Sequence, residues 1–161
     1  MAVTQVVINA SPLILLCNSD FAALLPQMFT DIVVPEAVWQ EIVASPHHDR
    51  AARLLPELRW LQKVAVTNAE PIVRWDLGSG ETAVLSFALQ QRAYTPILDD
   101  LAAKKCAKSC GIQPIGTGAI LILAKERGLI GSVAQALCKL RDAGLWISDA
   151  MFRLLKDRAG E

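Results

Sequence analysis

Short β-branched segments that alternate with helical patterns constrain the fold of this chain more than any other feature. The predicted strands are residues 3–8, 32–34, 61–66, 95–98 and 112–115. Strands that alternate with helices are joined by right-handed crossovers into a parallel sheet that is covered on both faces. The sequence therefore predicts an α/β fold of three layers, α/β/α, around a central, mostly parallel sheet of about five short strands.

Residues that start or end helices mark the segments between these strands. Pro35 suits the first turn of a helix that carries Glu36 and Glu41, and Gly111 closes the helix that follows the fourth strand. Residues 47–58 are predicted as a helix, residues 67–78 as a loop, and residues 132–143 and 148–158 as a C-terminal helical hairpin. Because no linker or repeat divides the sequence, we expect one domain over residues 1–161.

Composition excludes several classes of protein. Sixteen basic residues balance sixteen acidic ones, so any contact with nucleic acid must use a local patch. Four cysteines are few for this length, and we expect reduced, mostly buried thiols. The first residues lack the features of a signal peptide, and no apolar run approaches the ~20 residues of a membrane span. We expect a soluble, cytoplasmic protein with no membrane association.

Polar side chains follow two of the predicted strands. Asn9 ends the first strand, and Asp99 and Asp100 end the fourth, which makes them neighbours if the strand order reverses between those strands. Glu81, in the first turn of a helix, reaches the same edge only through tertiary packing, and Glu41 is expected to join them. Clustered carboxylates repel each other unless a divalent cation neutralises them, and oxygen ligands favour Mg²⁺ or Mn²⁺. Such an ion activates water and stabilises charge on a phosphate, as in a phosphodiesterase.

Five short motifs carry a resemblance to a known family. They are residues 7–14 (VINASPLI), 34–42 (VPEAVWQEI), 78–81 (GSGE), 98–103 (LDDLAA) and 116–118 (GTG). In this order over one domain length they resemble a PIN domain, and more narrowly the VapC-like PIN subfamily. The resemblance runs nearly end to end.

The resemblance implies a metal-dependent endoribonuclease, often the toxin half of a toxin-antitoxin pair, with four acids that hold Mg²⁺ or Mn²⁺. Carried over to this chain, the four positions are Asn9, Glu41, Glu81 and Asp100, with Asp99 as the alternative for the last. Asn9 departs from the family, which usually has aspartate there. Because an amide offers one neutral oxygen in place of a charge, we expect lower metal affinity and lower activity.

Substrate contacts are predicted at Asn9 and at two further positions. Ser11 matches a small hydroxyl residue that often follows the first acid in the family, and we expect it to orient a water or a phosphate. Lys104, with Lys105 and Lys108, follows the acid pair and is a candidate for contact with the RNA backbone. A solvated helix face is the alternative for these lysines.

Structural roles compete with several of these assignments. Glu81 at a helix start is favoured by the helix dipole alone, and Glu36 competes with Glu41 for a role on their helix. A helix cap explains one acid of the pair Asp99 and Asp100, which leaves the other without a structural explanation. Thr117 is expected to cap a helix rather than to contact a phosphate.

Two groups of potential metal ligands are interpreted as structural. Cys106 and Cys110 share a helix face, but a zinc site needs two further ligands at suitable spacing. His47 and His48 are expected to be a surface pair near a helix start. Neither group enters the predicted site.

Three functional hypotheses follow. The first is an active ribonuclease, and the second is a degenerate PIN domain that binds RNA or protein without cleavage because of Asn9. The third, a phosphoacceptor receiver domain, needs acids where Asn9 stands. Apolar surface expected on the helices after the first strand and on the C-terminal hairpin predicts a homodimer, and the resemblance adds a small antitoxin as a possible partner.

Overall fold

A parallel sheet lies at the centre of the molecule. The structure is a computed structural model that describes residues 2–45 and 49–161. Within these residues the sheet has four strands in the spatial order β3-β2-β1-β4. The strands are β1 (Gln5–Ile8), β2 (Asp31–Pro35), β3 (Leu61–Val64) and β4 (Thr95–Ile97). The architecture is three-layer α/β, as predicted, and β3 lies at one edge of the sheet.

The order of the strands reverses at β1. This strand pairs in parallel with β2 on one side and with β4 on the other, and Ile8 lies opposite Ile97. The chain leaves both strands at the same edge, where the backbone N–H of Asn9 donates to the carbonyl oxygen of Ile97 over 3.0 Å. Asn9 and Asp99 are therefore neighbours across the point of reversal, as the sequence predicts.

The predicted fifth strand, residues 112–115, is reduced to a single bridge. Only Ile115 pairs with β4, through a parallel bridge to Ile97. Its N–H donates to Pro96 and its carbonyl accepts from Leu98. Pro114 has no N–H to donate, so the chain immediately before Ile115 cannot extend the ladder through that residue. The bridge nevertheless fixes the segment that follows, residues 116–117, beside the end of β4.

Helices cover the sheet and end mostly where the sequence predicts. Gly111 follows α7 with a positive φ of 71°, and the predicted C-terminal hairpin is formed by α9 and α10. The helices are α1 (Ala10–Asn18), α2 (Leu24–Met28), α3 (Glu36–Ala44), α4 (Asp49–Leu54), α5 (Glu70–Val73), α6 (Ser79–Gln90), α7 (Leu101–Ser109), α8 (Thr117–Glu126), α9 (Val133–Asp142) and α10 (Asp149–Arg158).

Three helical segments differ from the prediction. The short helix α2 was not predicted, and α5 lies inside the predicted loop of residues 67–78. Of the predicted helix 47–58, α4 is followed by a 3₁₀ turn at Leu55–Glu57, while His47 and His48 lie outside the described residues. Short helices of four or five residues carry too little periodicity to be read from a sequence.

The apolar side chains of the sheet and of α1 form the core. Val6, Val7 and Ile8 are fully buried, as are Leu13 and Leu16 of α1. The prediction of apolar surface on the helices after the first strand is therefore wrong, because α1 and α2 turn these residues inward. None of the helices in the described part of the chain has the length and apolar character needed to cross a bilayer.

The side chain of Glu161 ties α10 to the start of α9. One carboxylate oxygen accepts hydrogen bonds from Ser132 Oγ (2.9 Å) and the N–H of Ala134 (3.1 Å). The other accepts from Lys125 Nζ (2.8 Å) and the N–H of Val133 (2.6 Å). The Lys125 ammonium and then the Val133 N–H lower the pKa of Glu161 to about 2. This arrangement, the Glu161 latch, fixes the hairpin beside α8.

Candidate active site

A cavity of about 810 Å³ opens at the edge where β1 and β4 end. All the predicted metal ligands line it, together with Ser11, which is exposed in the first turn of α1. The lining residues predicted from the sequence are Asn9, Ser11, Glu41, Glu81, Asp99 and Asp100. We call this space the acidic cavity.

Asn9 places a buried polar atom at the floor of the acidic cavity. The residue is 3% exposed and precedes α1, but its side chain makes no capping hydrogen bond to that helix. Among the described residues its Oδ1 has no hydrogen-bond partner. Leaving a buried acceptor unsatisfied costs about 1–3 kcal/mol, and native proteins keep few such groups. The position therefore favours a role for the oxygen that involves a group from outside the chain.

Glu41 approaches Asn9 because α3 packs against α6. A Cβ atom added to Gly80, in the first turn of α6, would lie 3.0 Å from Glu41 Oε2 and 3.2 Å from Asn9 Oδ1. The two oxygens thus converge on the space that the missing side chain of Gly80 leaves open. Glu36, the competing acid on α3, is exposed and does not line the cavity.

Glu81 reaches the cavity from the first turn of α6, and it is half-buried. Its Oε2 lies 2.6 Å from the position of a Cβ on Gly78, so the carboxylate is folded back toward the start of the helix. A carboxylate there is favoured by the helix dipole. The packing of α3 on α6 brings Glu41 and Glu81 to one cavity, which local sequence cannot specify.

Both acids that follow β4 have structural hydrogen bonds. Asp100 is the N-cap of α7, and its Oδ2 accepts from the N–H of Ala103 over 2.9 Å. Asp99 Oδ1 accepts from the N–H of Thr117 (2.8 Å) and Oδ2 accepts from Thr117 Oγ1 (2.6 Å). The prediction that one of the two acids has no structural explanation is therefore wrong. The second explanation comes from a residue 18 positions away, which the bridge at Ile115 brings alongside.

Thr117 and Lys104 both lie beside Asp99. The predicted capping role of Thr117 is wrong, because Gly116 occupies the N-cap of α8 and Thr117 holds Asp99 instead. A Cβ on Gly116 would lie 2.9 Å from Asp99 Oδ1 and 3.3 Å from Lys104 Nζ, so the ammonium faces the same small space as that carboxylate. Lys105 and Lys108 are exposed on α7.

The cysteines lie away from the acidic cavity. Burial raises the pKa of Cys17 to about 11, and burial together with the neighbouring Cys110 raises the pKa of Cys106 to about 11. Both thiols therefore stay protonated at neutral pH. Cys110 is half-buried and Cys138 is exposed, so the expectation of mostly buried thiols holds for only two of the four.

Comparison with known families is decisive for the fold. The model of the DUF3368 family, a PIN domain, matches residues 5–161. The chain belongs to this PIN-domain family. No curated protein and no solved structure gives a significant match. The PIN fold is a nuclease-type fold, and PIN domains generally use divalent metals.

The donor atoms of this PIN domain suit a hard divalent cation. Every candidate ligand is an oxygen, and Asn9 Oδ1, which has no partner in the described segments, borders the same point beside Gly80 as Glu41 Oε2. In the described residues no group of three His, Cys, Asp or Glu side chains is arranged to hold a metal ion. Mg²⁺ does not require such a group, since it keeps several waters and often takes only one or two protein carboxylates. The residues therefore fit an ion that retains much of its hydration.

One part of this PIN domain's cavity wall was not predicted from the sequence. The loop between α9 and α10, residues 143–148, contributes Ala143, Gly144, Leu145 and Trp146 to the lining. Trp146 is 86% exposed. The local signal is a tryptophan between Leu145 and Ile147 in a short loop, and it does not indicate which cavity the loop borders.

Proposed function

We propose that this chain is a metal-dependent endoribonuclease of the VapC-like PIN subfamily. The observation that carries the proposal is the buried Oδ1 of Asn9, at the switch point of the sheet, which has no partner among the described residues and borders the same point beside Gly80 as Glu41 Oε2. Glu81 and Asp99 border the same cavity. An oxygen-lined cavity at this edge of a nuclease-type fold is suited to a phosphodiester bond.

In this proposal Asn9 and Glu41 contact Mg²⁺ or Mn²⁺, and Glu81 and Asp99 face its bound waters from the cavity wall. The bound ion would lower the pKa of a water and neutralise charge on the phosphate. The hydrogen bonds from Thr117 fix the orientation of the Asp99 carboxylate, which still has free lone pairs. Asp100 serves chiefly as the cap of α7. Ser11, exposed at the cavity wall, orients a water or the phosphate, and Lys104 offsets the charge of Asp99.

Cleavage of single-stranded RNA by the purified protein, with Mn²⁺ or Mg²⁺ and with EDTA as a blank, tests the proposal. Glu41→Gln and Glu81→Gln each remove one charge without changing shape, and each is expected to lower cleavage by about 100-fold or more. Glu36→Gln is the matched control on α3, and it should cleave like the wild type. Absence of cleavage with either metal, or equal cleavage by all the variants, would overturn the proposal.

Two observations favour a second candidate, a degenerate PIN domain that binds RNA or protein without cleaving. Asn9 stands where the resemblance implies a charged aspartate, and no three acids in the described segments are grouped as metal ligands. Asn9→Asp separates the two candidates. A variant that gains cleavage over an inactive wild type supports the degenerate reading, whereas an active wild type that changes little supports the nuclease.

We also propose that the chain acts as the toxin of a toxin-antitoxin pair and forms a homodimer. Met151 and Leu154, exposed on α10, support an apolar contact at the hairpin. Light scattering of the purified protein tests the dimer, and a strict monomer would contradict it. Growth arrest on expression, relieved by a co-expressed small neighbouring gene product, tests the toxin and its antitoxin.

A further inference from the structure

The loop between α9 and α10, which we call the Trp146 loop (residues 143–148), carries the most exposed large apolar side chain among the described residues. Trp146 is 86% exposed, whereas Trp75 is 40% exposed. A single exposed apolar side chain is common on a protein surface, but an aromatic side chain at a cavity wall is in position to contact a ligand or a partner there. The exposure alone does not say which.

The backbone on both sides of Trp146 is fixed. Leu145 N–H donates to Leu140 over 2.8 Å, and Gly144, with a φ of 113°, allows the chain to turn after α9. On the other side Arg141 donates to the carbonyl oxygen of Ile147 over 3.2 Å, and its guanidinium stacks on Phe152 at 4.5 Å. The indole is therefore presented from a loop held at both ends, which lowers the conformational cost of binding.

The position of Trp146 limits what it can contact. It lines the same cavity as Asn9, Glu81 and Asp99, so any RNA held there for cleavage passes beside it. The chain has no net charge, and the lining offers carboxylates, so phosphate contacts supply little attraction when no cation is bound. A base has a π-face that stacks on an aromatic side chain whatever its sequence. Stacking is therefore the attraction that this cavity wall can offer.

We infer that Trp146 stacks on an unpaired base of single-stranded RNA, next to the phosphate held at the acidic cavity. Asn18 also lines this cavity, and its buried Oδ1 is an acceptor that no described residue satisfies. This inference rests on the proposed function, because it takes RNA as the ligand. It makes the substrate single-stranded, since bases in a duplex are not free to stack on protein.

Binding measured without cleavage tests the inference. Fluorescence anisotropy of a labelled 12-nucleotide single-stranded RNA is followed in EDTA at low salt, with a hairpin duplex of the same composition as the comparison. Trp146→Ala is expected to weaken binding of the single strand by about 5- to 150-fold, with Trp146→Phe close to the wild type. Trp75→Ala, an exposed tryptophan away from the cavity, should have no effect. Duplex binding should be weak and unchanged in all the variants.

Several outcomes would overturn the inference. These are a wild type that does not bind the single strand, a Trp146→Ala variant that binds it normally, or an equal loss for duplex RNA. A wild-type dimer that Trp146→Ala dissociates would show that a second copy covers the indole. Because cleavage plays no part in the measurement, Trp146-dependent binding by a protein that never cleaves would remove the proposed activity and leave the stacking intact. Normal RNA cleavage by Trp146→Ala, together with normal binding, would keep the proposed activity and remove the stacking.

Discussion

At the start of α9 the carboxylate of Glu161 is fully hydrogen-bonded, whereas at the end of β1 the amide oxygen of Asn9 has no partner among the described residues. Both groups lie near the N-terminus of a helix, where partial positive charge favours an oxygen. At the Glu161 latch every donor comes from the chain itself, and the pKa falls to about 2. The latch stabilises the fold, while the buried oxygen of Asn9 costs stability.

This difference shows that an acid at a helix start is not by itself a functional site. Asp100 accepts a hydrogen bond from a backbone N–H at the start of α7, and Asp99 accepts one from the first residue of α8. Each therefore satisfies a backbone donor, as Glu161 does. What sets the acidic cavity apart is Asn9 Oδ1, a buried acceptor to which none of the described residues supplies a donor.

The largest effect on cleavage among the substitutions below is expected for Asp99→Asn. The single substitution Asp100→Asn is its comparison. Asparagine caps a helix about as well as aspartate, so Asp100→Asn should change cleavage by less than about tenfold and leave stability nearly unchanged. Asp99→Asn removes the charge that Thr117 orients, and cleavage should fall by about 100-fold. Single-turnover RNA cleavage with Mn²⁺ measures both. A larger loss in Asp100→Asn would reverse the two assignments.

Gly80→Ala should have a smaller effect, on metal affinity. The added Cβ would lie 3.0 Å from Glu41 Oε2 and 3.2 Å from Asn9 Oδ1, closer than usual contacts. Displacement of these oxygens should raise the Kd for Mn²⁺ about tenfold. Stability should not fall much, because alanine gains about 0.5–1 kcal/mol over glycine within a helix. Gly131→Ala, where nothing lies within 4 Å of the new atom, is the control. An unchanged Kd in Gly80→Ala would mean that the two oxygens do not bind the ion together.

Glu161→Gln should leave cleavage unchanged and act only on stability. Because folding lowers the pKa of Glu161 from an ordinary 4.5 to about 2, its stabilising effect is present above pH 4.5 and is lost as the pH falls toward 2. Urea unfolding should show the variant less stable than the wild type at pH 7, with the gap closing between pH 4.5 and 2. Glu126→Gln is the control, because Glu126 is an exposed acid that follows Lys125 in the chain. A gap that does not depend on pH would mean that the charge of Glu161 does not stabilise the latch.

Local sequence was enough for the parts of the fold that local chemistry decides. The β-branched run before Asn9, the glycine after α7 and the helical segments 132–143 and 148–158 all predicted elements that the structure contains. The predicted fifth strand failed because only Ile115 finds a partner on β4. The helices α2 and α5 are too short to leave a periodic pattern.

The candidate site was predictable as a set of residues but not as an arrangement. Asn9 and Asp99 follow neighbouring strands, so topology alone brings them together. The roles of Thr117 and Gly80 depend on contacts between distant segments, Thr117 with Asp99 and Gly80 with Glu41, which no local spacing encodes. Trp146 was missed for the same reason, because only the folded hairpin places its loop at the cavity.

We expect the buried oxygen of Asn9 to be a ligand for a divalent ion, and calorimetric titration of Mn²⁺ into three proteins measures whether it is. Asn9→Asp adds a charge beside Glu41 and should bind Mn²⁺ at least about tenfold more tightly than the wild type. Asn9→Leu, similar in size, should bind more weakly, while its unfolding free energy stays equal or rises because an unsatisfied acceptor is removed. The same Kd for Mn²⁺ in all three proteins would contradict the claim.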